Sequence, residues 1–168
     1  MFKINFKKFL LNFGIISTIF LTDRLTKIYI LKIAEIKNTV DIYVNTYLNF
    51  YLIWNKGIAF GLFSFNEKFI YNIITAIILV ITIVILIIII KNEGFKKYSL
   101  MFVLGGSLGN VFDRIYYSAV PDFIDFHINE FHWFIFNIAD IFVTIGVFCL
   151  IYVELFINKE IKNNEKNY

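Results

Sequence analysis

Two pairs of polar residues lie in otherwise apolar stretches, and both pairs include a carboxylate that could do chemistry. Asn137 and Asp140 begin the segment FNIADIFVTIG, and Asn110 and Asp113 belong to the segment GGSLGNVFDR. The members of each pair are three residues apart, which puts their side chains on one face of a helix. Because a carboxylate that faces lipid is energetically costly, we expect both faces to point into a helical bundle or a wet cavity.

A third carboxylate, Asp122, comes just before the last apolar segment and could meet Asp140 near the membrane surface. Its surroundings, SAVPDFIDFHINEFH, contain Asp125 and Glu130 but no Lys or Arg. Two carboxylates that lie close together in a partly dry site cannot both ionise easily, so they share a proton. One can then act as a base on water while the other donates to a carbonyl, as in an aspartic peptidase. From its position alone, Asp122 could also be a loop or helix-capping residue.

Ionisable residues of three predicted helices lie at similar depths in the bilayer. Asp23 lies roughly 21 Å from the start of the first helix, and Asp113 lies roughly 22 Å from the start of the third. Asp140 lies roughly 25 Å from the far end of the fourth helix, which runs the other way. This agreement predicts one polar cluster in the outer third of the membrane. As an alternative, Asp23 with Lys27 and Asp113 with Arg114 could be ion pairs that only hold helices together.

The composition indicates a membrane protein. Of the 168 residues, 59% are hydrophobic and 20% are aromatic, which is more apolar surface than a soluble domain of this size can bury. We therefore predict a membrane all-α protein that forms a single integral domain over residues 1–168, with a disordered tail over about 159–168. Its four transmembrane helices, each long enough to cross about 30 Å of hydrocarbon, are predicted over residues 9–31, 69–90, 98–117 and 133–157.

The distribution of lysines predicts the orientation. Lysines cluster before the first helix, between the second and third helices, and in the tail, whereas loop 118–132 contains no Lys or Arg. The positive-inside rule therefore places both termini in the cytoplasm and loops 32–68 and 118–132 on the outer side. Within the first outer loop, VDIYVNTYLNFYLIW alternates apolar and polar residues and is rich in aromatic and β-branched ones. This pattern predicts a small β-element at the outer surface.

Other kinds of site receive less support. His127 and His132 are five residues apart and lack the HExxH spacing, which argues against zinc. Cys149 is the chain's one cysteine, so an internal disulfide is excluded. The net charge of +3 comes from the lysine-rich segments that are predicted on the cytoplasmic side. The sequence shows no surface of mixed basic and aromatic residues that would indicate a nucleic-acid partner.

Two other functional classes remain as alternatives. Intramembrane Asp and Asn also mark ion pathways, so a transporter or proton-conducting protein is the main one. Against it, the middle of the second helix is wholly apolar and no polar trail reaches the cytoplasm. The other is a metal-dependent lipid phosphotransferase that binds Mg²⁺ through several Asp residues. Its acidic residues would be expected on the cytoplasmic side, whereas the present ones are predicted on the outer side.

Five motifs, taken together, resemble those of bacterial lipoprotein signal peptidase, or signal peptidase II. They occur in that family's order and spacing and cover most of the chain, with mild departures at Ile58, Ser107 and Pro121. The motifs are DRLTK (23–27), NKGIAFG (55–61), GGSLGNVFDR (105–114), VPDFIDF (120–126) and FNIAD (136–140).

The resemblance implies a membrane aspartic endopeptidase of the bacterial cytoplasmic membrane that cleaves lipidated prolipoproteins before the diacylglyceryl-cysteine. Asp122 and Asp140 would be its catalytic pair, and the first-loop motif would belong to an outer β-cradle and a helical flap. No cofactor or metal is expected, and the protein would act as a monomer in contact with membrane lipid. Gly57 and Gly61 are expected to line a narrow approach to the site. The other supporting residues are Asp23, Lys27, Asn55, Asn110, Asp113, Arg114 and Asn137.

Overall fold

The structure is a computed structural model that describes residues 6–57 and 68–157, which form four α-helices and four β-strands. The helices are α1 (Phe6–Lys37), α2 (Lys68–Lys91), α3 (Gly94–Tyr117) and α4 (Ile138–Tyr152), and a π-helical turn (Val153–Ile157) continues α4. The strands are β1 (Asp41–Asn45), β2 (Leu48–Asn55), β3 (Val120–Ile128) and β4 (Phe131–Phe136). Residues 58–61 of the NKGIAFG motif, on which the predicted flap falls, and the tail over 159–168 lie outside the described residues.

Three of the predicted membrane spans are supported by helix length and composition. Among the described residues, the helical segments long and apolar enough to cross a membrane are Phe6–Lys37, Lys68–Lys91 and Ile138–Ile157. Helix α3 has 24 residues and is long enough to cross, but its glycines and polar residues make it less apolar. A membrane crossing by α3 therefore stays a prediction.

The four strands form one antiparallel sheet in the order β1-β2-β3-β4. Strands β1 and β2 confirm the β-element predicted in loop 32–68. Strands β3 and β4 correct two predictions, because 118–132 is largely strand and α4 begins at Ile138 rather than at residue 133. Strand β3 is hard to recognise from its sequence because it contains Pro121 and two acidic residues, which are rare in strands. The hairpin turns at Asn129, whose φ of 52° suits an asparagine.

Helix α3 is the centre of the helical bundle, and its glycines allow α1 and α4 to approach closely. A Cβ on Gly105 would lie 2.8 Å from Ile19 of α1, and a Cβ on Gly106 would overlap the backbone oxygen of Ala139 in α4. A Cβ on Gly109 would lie 2.5 Å from the Oδ2 atom of Asp23. These approaches are what bring polar groups of α1, α3 and the start of α4 into contact.

Candidate active site

Asp122 lies in β3 with a fully buried side chain whose two oxygens each accept a hydrogen bond from an amide. The Nδ2 atom of Asn55, the last residue of β2, donates to Oδ2 over 2.8 Å. The Nδ2 atom of Asn137 donates to Oδ1 over 2.6 Å. The register of the sheet explains the first contact, because Ile53 of β2 pairs with Asp122 and brings the end of β2 alongside it. The carboxylate is thus held by neutral donors rather than by a cation.

Asp140 lies in the first turn of α4 and forms a capping box with Asn137. The backbone N–H of Asp140 donates to Asn137 Oδ1 over 3.0 Å, and the backbone N–H of Asn137 donates to Asp140 Oδ2 over 3.3 Å. This exchange satisfies N–H groups that a helix start leaves without partners. Asn110 of α3 adds a third bond, since its Nδ2 donates to Asp140 Oδ1 over 2.9 Å. The spacing of three residues therefore reflects a helix cap, with Asn137 at the N-cap rather than within the helix.

Asn137 connects the two carboxylates, because its side chain donates to Asp122 and caps the turn that carries Asp140. Burial, and to a smaller extent the nearby charge of Asp140, together raise the pKa of the Asp122 carboxyl from 3.8 to about 7. The hydrogen bonds from Asn55 and Asn137 oppose this shift because they stabilise the charged form. Asp122 and Asp140, called the carboxylate pair below, can therefore hold a proton near neutral pH.

In a second set of buried residues, two cationic side chains neutralise two carboxylates. Lys27 Nζ lies 2.7 Å from Asp113 Oδ2 and 2.9 Å from Asp23 Oδ1. Arg24 lies 2.6 Å from Asp113 through Nη1 and 3.0 Å from Asp23 through Nη2. These four residues form the ion-pair cluster, which joins α1 to α3. Asp23 also accepts the backbone N–H of Ala139 over 3.1 Å, so the cluster reaches the start of α4 as well.

Asn110 lies between the ion-pair cluster and the carboxylate pair. Its Oδ1 accepts a hydrogen bond from Lys27 Nζ over 3.0 Å, while its Nδ2 donates to Asp140. One amide therefore links a buried cation to a catalytic candidate. Such chains of hydrogen bonds polarise one another in a site of low dielectric constant.

Arg114 does not pair with the adjacent Asp113, which corrects one of the ion pairs considered from the sequence. Its Nη2 donates to the carbonyl oxygen of Gly57, and its guanidinium lies 5.7 Å from the ring centre of Tyr71. Neighbouring residues of a helix point in different directions, so Asp113 faces α1 while Arg114 faces the end of β2. The N–H of Gly57 also donates to Asn55 Oδ1 over 2.7 Å. Arg114 thereby stabilises the loop that follows Asn55.

An apolar groove of about 270 Å³ opens beside Asp140. Its walls come from β4 and from one face of α4, so an extended apolar segment placed there would lie against Asp140. The groove is lined by Trp133, Phe136, Asp140, Ile141, Thr144 and Ile145.

A family model described as "Signal peptidase (SPase) II" matches residues 15–156. The chain belongs to the signal peptidase II family. A lipoprotein signal peptidase of Pelagibacter ubique (strain HTCC1062) is 58% identical, with 98% of this chain and 99% of the relative covered. One from Aquifex aeolicus (strain VF5) is 37% identical, with 87% and 86% covered. A solved structure described as a bacterial membrane enzyme is 28% identical with a TM-score of 0.68, covering 89% of each chain.

Membership of the signal peptidase II family confirms the resemblance seen in the five motifs, and it favours a peptidase over a transporter or a lipid phosphotransferase. The structure brings the predicted site residues into one continuous set of hydrogen bonds and ion pairs. Gly61 lies outside the described residues. Sequence reasoning overlooked the backbone N–H of Ala139 and the ring of Tyr71, since neither carries a signal in the spacing of polar residues. The set consists of Asp23, Lys27, Asn55, Gly57, Asn110, Asp113, Arg114, Asp122, Asn137 and Asp140.

Proposed function

We propose that this protein is a membrane aspartic endopeptidase that removes the signal peptide from lipid-modified prolipoproteins by cleaving before the diacylglyceryl-cysteine. Its family and the name of its relatives support lipoprotein precursors as the substrate class. The observation that carries the mechanism is that Asn137 holds both Asp122 and the turn that carries Asp140. One side chain thus fixes two buried carboxylates, and among the described residues no cation forms an ion pair with either of them. Such carboxylates form a suitable acid–base pair.

In the proposed mechanism, the carboxylate pair holds one proton near neutral pH, consistent with the raised pKa of Asp122. The ionised member takes a proton from water, whose oxygen then forms a bond to the scissile carbonyl carbon. The protonated member donates its proton to the carbonyl oxygen, which gives a neutral tetrahedral intermediate. Collapse of the intermediate breaks the C–N bond, and the carboxyl that received the proton from water passes it to the departing cysteine nitrogen. The other carboxylate takes a proton from a hydroxyl of the intermediate, which leaves the new carboxylic acid and returns the pair to its state with one proton. No covalent enzyme intermediate is formed.

The remaining polar residues keep the pair in place in this proposal. Asn55 and Asn110 each donate to one of the two carboxylates. The ion-pair cluster fixes α1 against α3 and the start of α4, so it determines where Asn110 and Asp140 lie. A catalytic group must be positioned within about 0.5 Å to be effective, and the cluster provides this rigidity.

The substrate would approach from the membrane. The groove beside Asp140 has an apolar lining, which suits a signal peptide helix or an acyl chain rather than a polar peptide. Each acyl CH₂ buried in lipid contributes about 0.8 kcal/mol of anchoring, so a diacylglyceryl group would hold the cysteine at the bilayer surface. We propose that α3 is the fourth membrane span, that both termini are cytoplasmic, and that the protein acts as a monomer in the bacterial cytoplasmic membrane with its site toward the outer face.

Cleavage of a lipidated prolipoprotein in detergent, with a chelator present, tests this function. Asp122→Asn and Asp140→Asn should each lower kcat by at least about 10²-fold, because each removes an acid–base group. Asp41→Asn is the matched control, since Asp41 begins β1 and is exposed. Near-normal cleavage by either site variant would overturn the mechanism. Activity that EDTA abolishes and zinc or magnesium restores would overturn its metal independence.

The substrate class is tested with the same precursor peptide in lipidated and unlipidated forms. The lipidated form should be cleaved much faster by the wild-type protein, because the lipid places the scissile bond at the depth of the carboxylate pair. Equal values of kcat/KM for the two forms would contradict the proposed role of the lipid.

A further inference from the structure

The hairpin of β3 and β4 brings the chain's two histidines together beside a buried carboxylate, away from the carboxylate pair. The register of the hairpin pairs His127 directly with His132, and their rings stack with centroids 5.0 Å apart. Asp125 lies on β3 next to them and is 5% exposed. The Nδ1 atom of His132 lies 3.0 Å from Asp125 Oδ2, and the Nδ1 atom of His127 lies 3.8 Å from the same oxygen.

We propose that Asp125, His127 and His132 form a binding site for a divalent transition-metal ion, with Zn²⁺ the best fit. One ligand atom from each residue lies within 4.8 Å of the other two. Two imidazoles and one carboxylate are a common ligand set for Zn²⁺, which binds them at about 2.0–2.2 Å. Small rotations of the side chains would therefore close the three donors around an ion. Three protein ligands leave the fourth tetrahedral position open toward solvent, where His132 is exposed.

Two polar atoms at this place lack hydrogen-bond partners in the part of the chain that the structure describes. One is Nδ1 of His127, which is buried. The other is the buried Oδ1 atom of Asn49 on β2, whose residue is the register partner of Asp125. Direct cross-strand neighbours point to the same side of a sheet, so Asn49 faces the same side as Asp125. Buried polar atoms normally have a partner, and a bound metal ion would supply one to Nδ1 of His127.

The spacing of the two histidines in the sequence does not predict this arrangement. A separation of five residues fits no helical zinc motif, but the two-residue turn at 129–130 folds β4 back on β3 and places the two residues opposite each other. The site differs in role from the carboxylate pair. Asp125 follows Asp122 by three residues on the same strand, so an ion here would brace the strand that carries Asp122 without touching the reacting groups.

Metal titration of the full-length protein in detergent tests the proposal. The protein is purified without a polyhistidine tag, because the chain's own two histidines must be the only ones present. After treatment with chelator, calorimetric titration with Zn²⁺ should give one ion per chain, and Co²⁺ should give the visible absorption of a tetrahedral site. Asp125→Asn, His127→Asn and His132→Asn should each weaken Zn²⁺ binding at least about tenfold. Glu130→Gln is the matched control, since Glu130 is an exposed carboxylate in the turn of the same hairpin.

Thermal unfolding provides the second measurement. Zn²⁺ should raise the unfolding midpoint of the wild type and of Glu130→Gln, because a ligand that binds the folded state stabilises it. The rise should disappear when both histidines are replaced by asparagine. The proposal is overturned if the wild type binds no Zn²⁺, or if the double variant binds it as tightly as the wild type. Peptidase activity is not the readout, so failure here leaves the proposed function intact.

Discussion

The carboxylate pair and the ion-pair cluster use the same residue type in opposite ways. In the ion-pair cluster, Asp23 and Asp113 are each contacted by both Lys27 and Arg24, so two negative charges are balanced by two positive ones. Removing one partner of such a buried pair leaves an uncompensated charge, which is strongly destabilising. The cluster is therefore suited to fixing helices and unsuited to exchanging protons.

The carboxylate pair is surrounded by amides instead. Asn55, Asn137 and Asn110 orient the oxygens through hydrogen bonds and bring no positive charge of their own. An amide stabilises a carboxylate less than a cation does, so the proton affinity of Asp122 stays high in a buried place. The difference teaches that the neighbours of a buried aspartate, rather than its burial, distinguish a structural residue from a catalytic candidate.

The largest expected effect on stability is in the ion-pair cluster. Lys27→Met leaves Asp23 and Asp113 with Arg24 as their remaining cation, and it should lower the free energy of unfolding by about 3–5 kcal/mol. Reversible unfolding in mixed micelles with SDS measures this loss. Lys32→Met is the control, because Lys32 lies exposed on the same helix. A Lys27→Met protein as stable as the wild type would contradict the structural role assigned to the ion-pair cluster.

Arg114 should behave as a separate unit, because it contacts Gly57 and not Asp113. Arg114→Ala removes a hydrogen bond between a charged donor and a carbonyl, worth about 1.5–3 kcal/mol. Combined with Lys27→Met, its effect on the free energy of unfolding should add within about 0.5 kcal/mol. A larger coupling energy would show that Arg114 belongs to the ion-pair cluster after all.

The close approach of α3 to α1 offers a test through packing alone. Gly109→Ala places a methyl group 2.5 Å from Asp23 Oδ2 and should cost about 1–3 kcal/mol of stability. It should also reduce cleavage, because Asp23 would be displaced from the backbone of Ala139. Gly14→Ala is the control, since nothing lies within 4 Å of its added Cβ. Equal stabilities of the two variants would contradict the described packing.

The most gradual effect concerns pH, because it is spread over a wide interval. Folding raises the pKa of Asp122 from 3.8 to about 7, so between these values the folded protein binds a proton that the unfolded chain has released. The contribution of Asp122 to stability therefore falls as pH rises through this interval, and its full cost is present above pH 7. Asp122→Asn lacks this titration. Its stability relative to wild type should improve from pH 4 to pH 7 and then level off.

Unfolding curves of the wild type, Asp122→Asn and Asp41→Asn over this range of pH provide the measurement. Asp41 is exposed, so Asp41→Asn should follow the wild type. A stability difference between wild type and Asp122→Asn that does not change with pH would show that Asp122 keeps its ordinary proton affinity.

Local patterns predicted much of this molecule. Hydropathy placed the long helices, and the shared depth of Asp23, Asp113 and Asp140 predicted one polar cluster, which the structure shows as connected contacts. Depth along a helix depends only on counting residues, so it can be read from sequence. The direction in which neighbours point depends on how helices rotate against each other, and this explains the wrong pairing of Asp113 with Arg114.

Strand pairing was the other feature that could not be predicted from the sequence. Strand β3 contains Pro121 and acidic residues, whose burial is possible because Asn55 and Asn137 come from distant parts of the chain to bind Asp122. The contact of His127 with His132 likewise depends on the register of the hairpin rather than on any sequence motif. Long-range partners of this kind leave no periodic signal in a single sequence.

The capping box at the start of α4 has a consequence for biosynthesis. Asn137 and Asp140 lie at the start of α4, the last α-helix among the described residues, while Asp122, Asn110 and the ion-pair cluster precede them. A ribosome therefore completes those parts of the site before Asn137, which holds the proposed catalytic carboxylates together, and before Asp140, which is one of them. Under the proposed mechanism, the growing chain carries half of an acid–base pair and gains its peptidase activity only when α4 has entered the membrane.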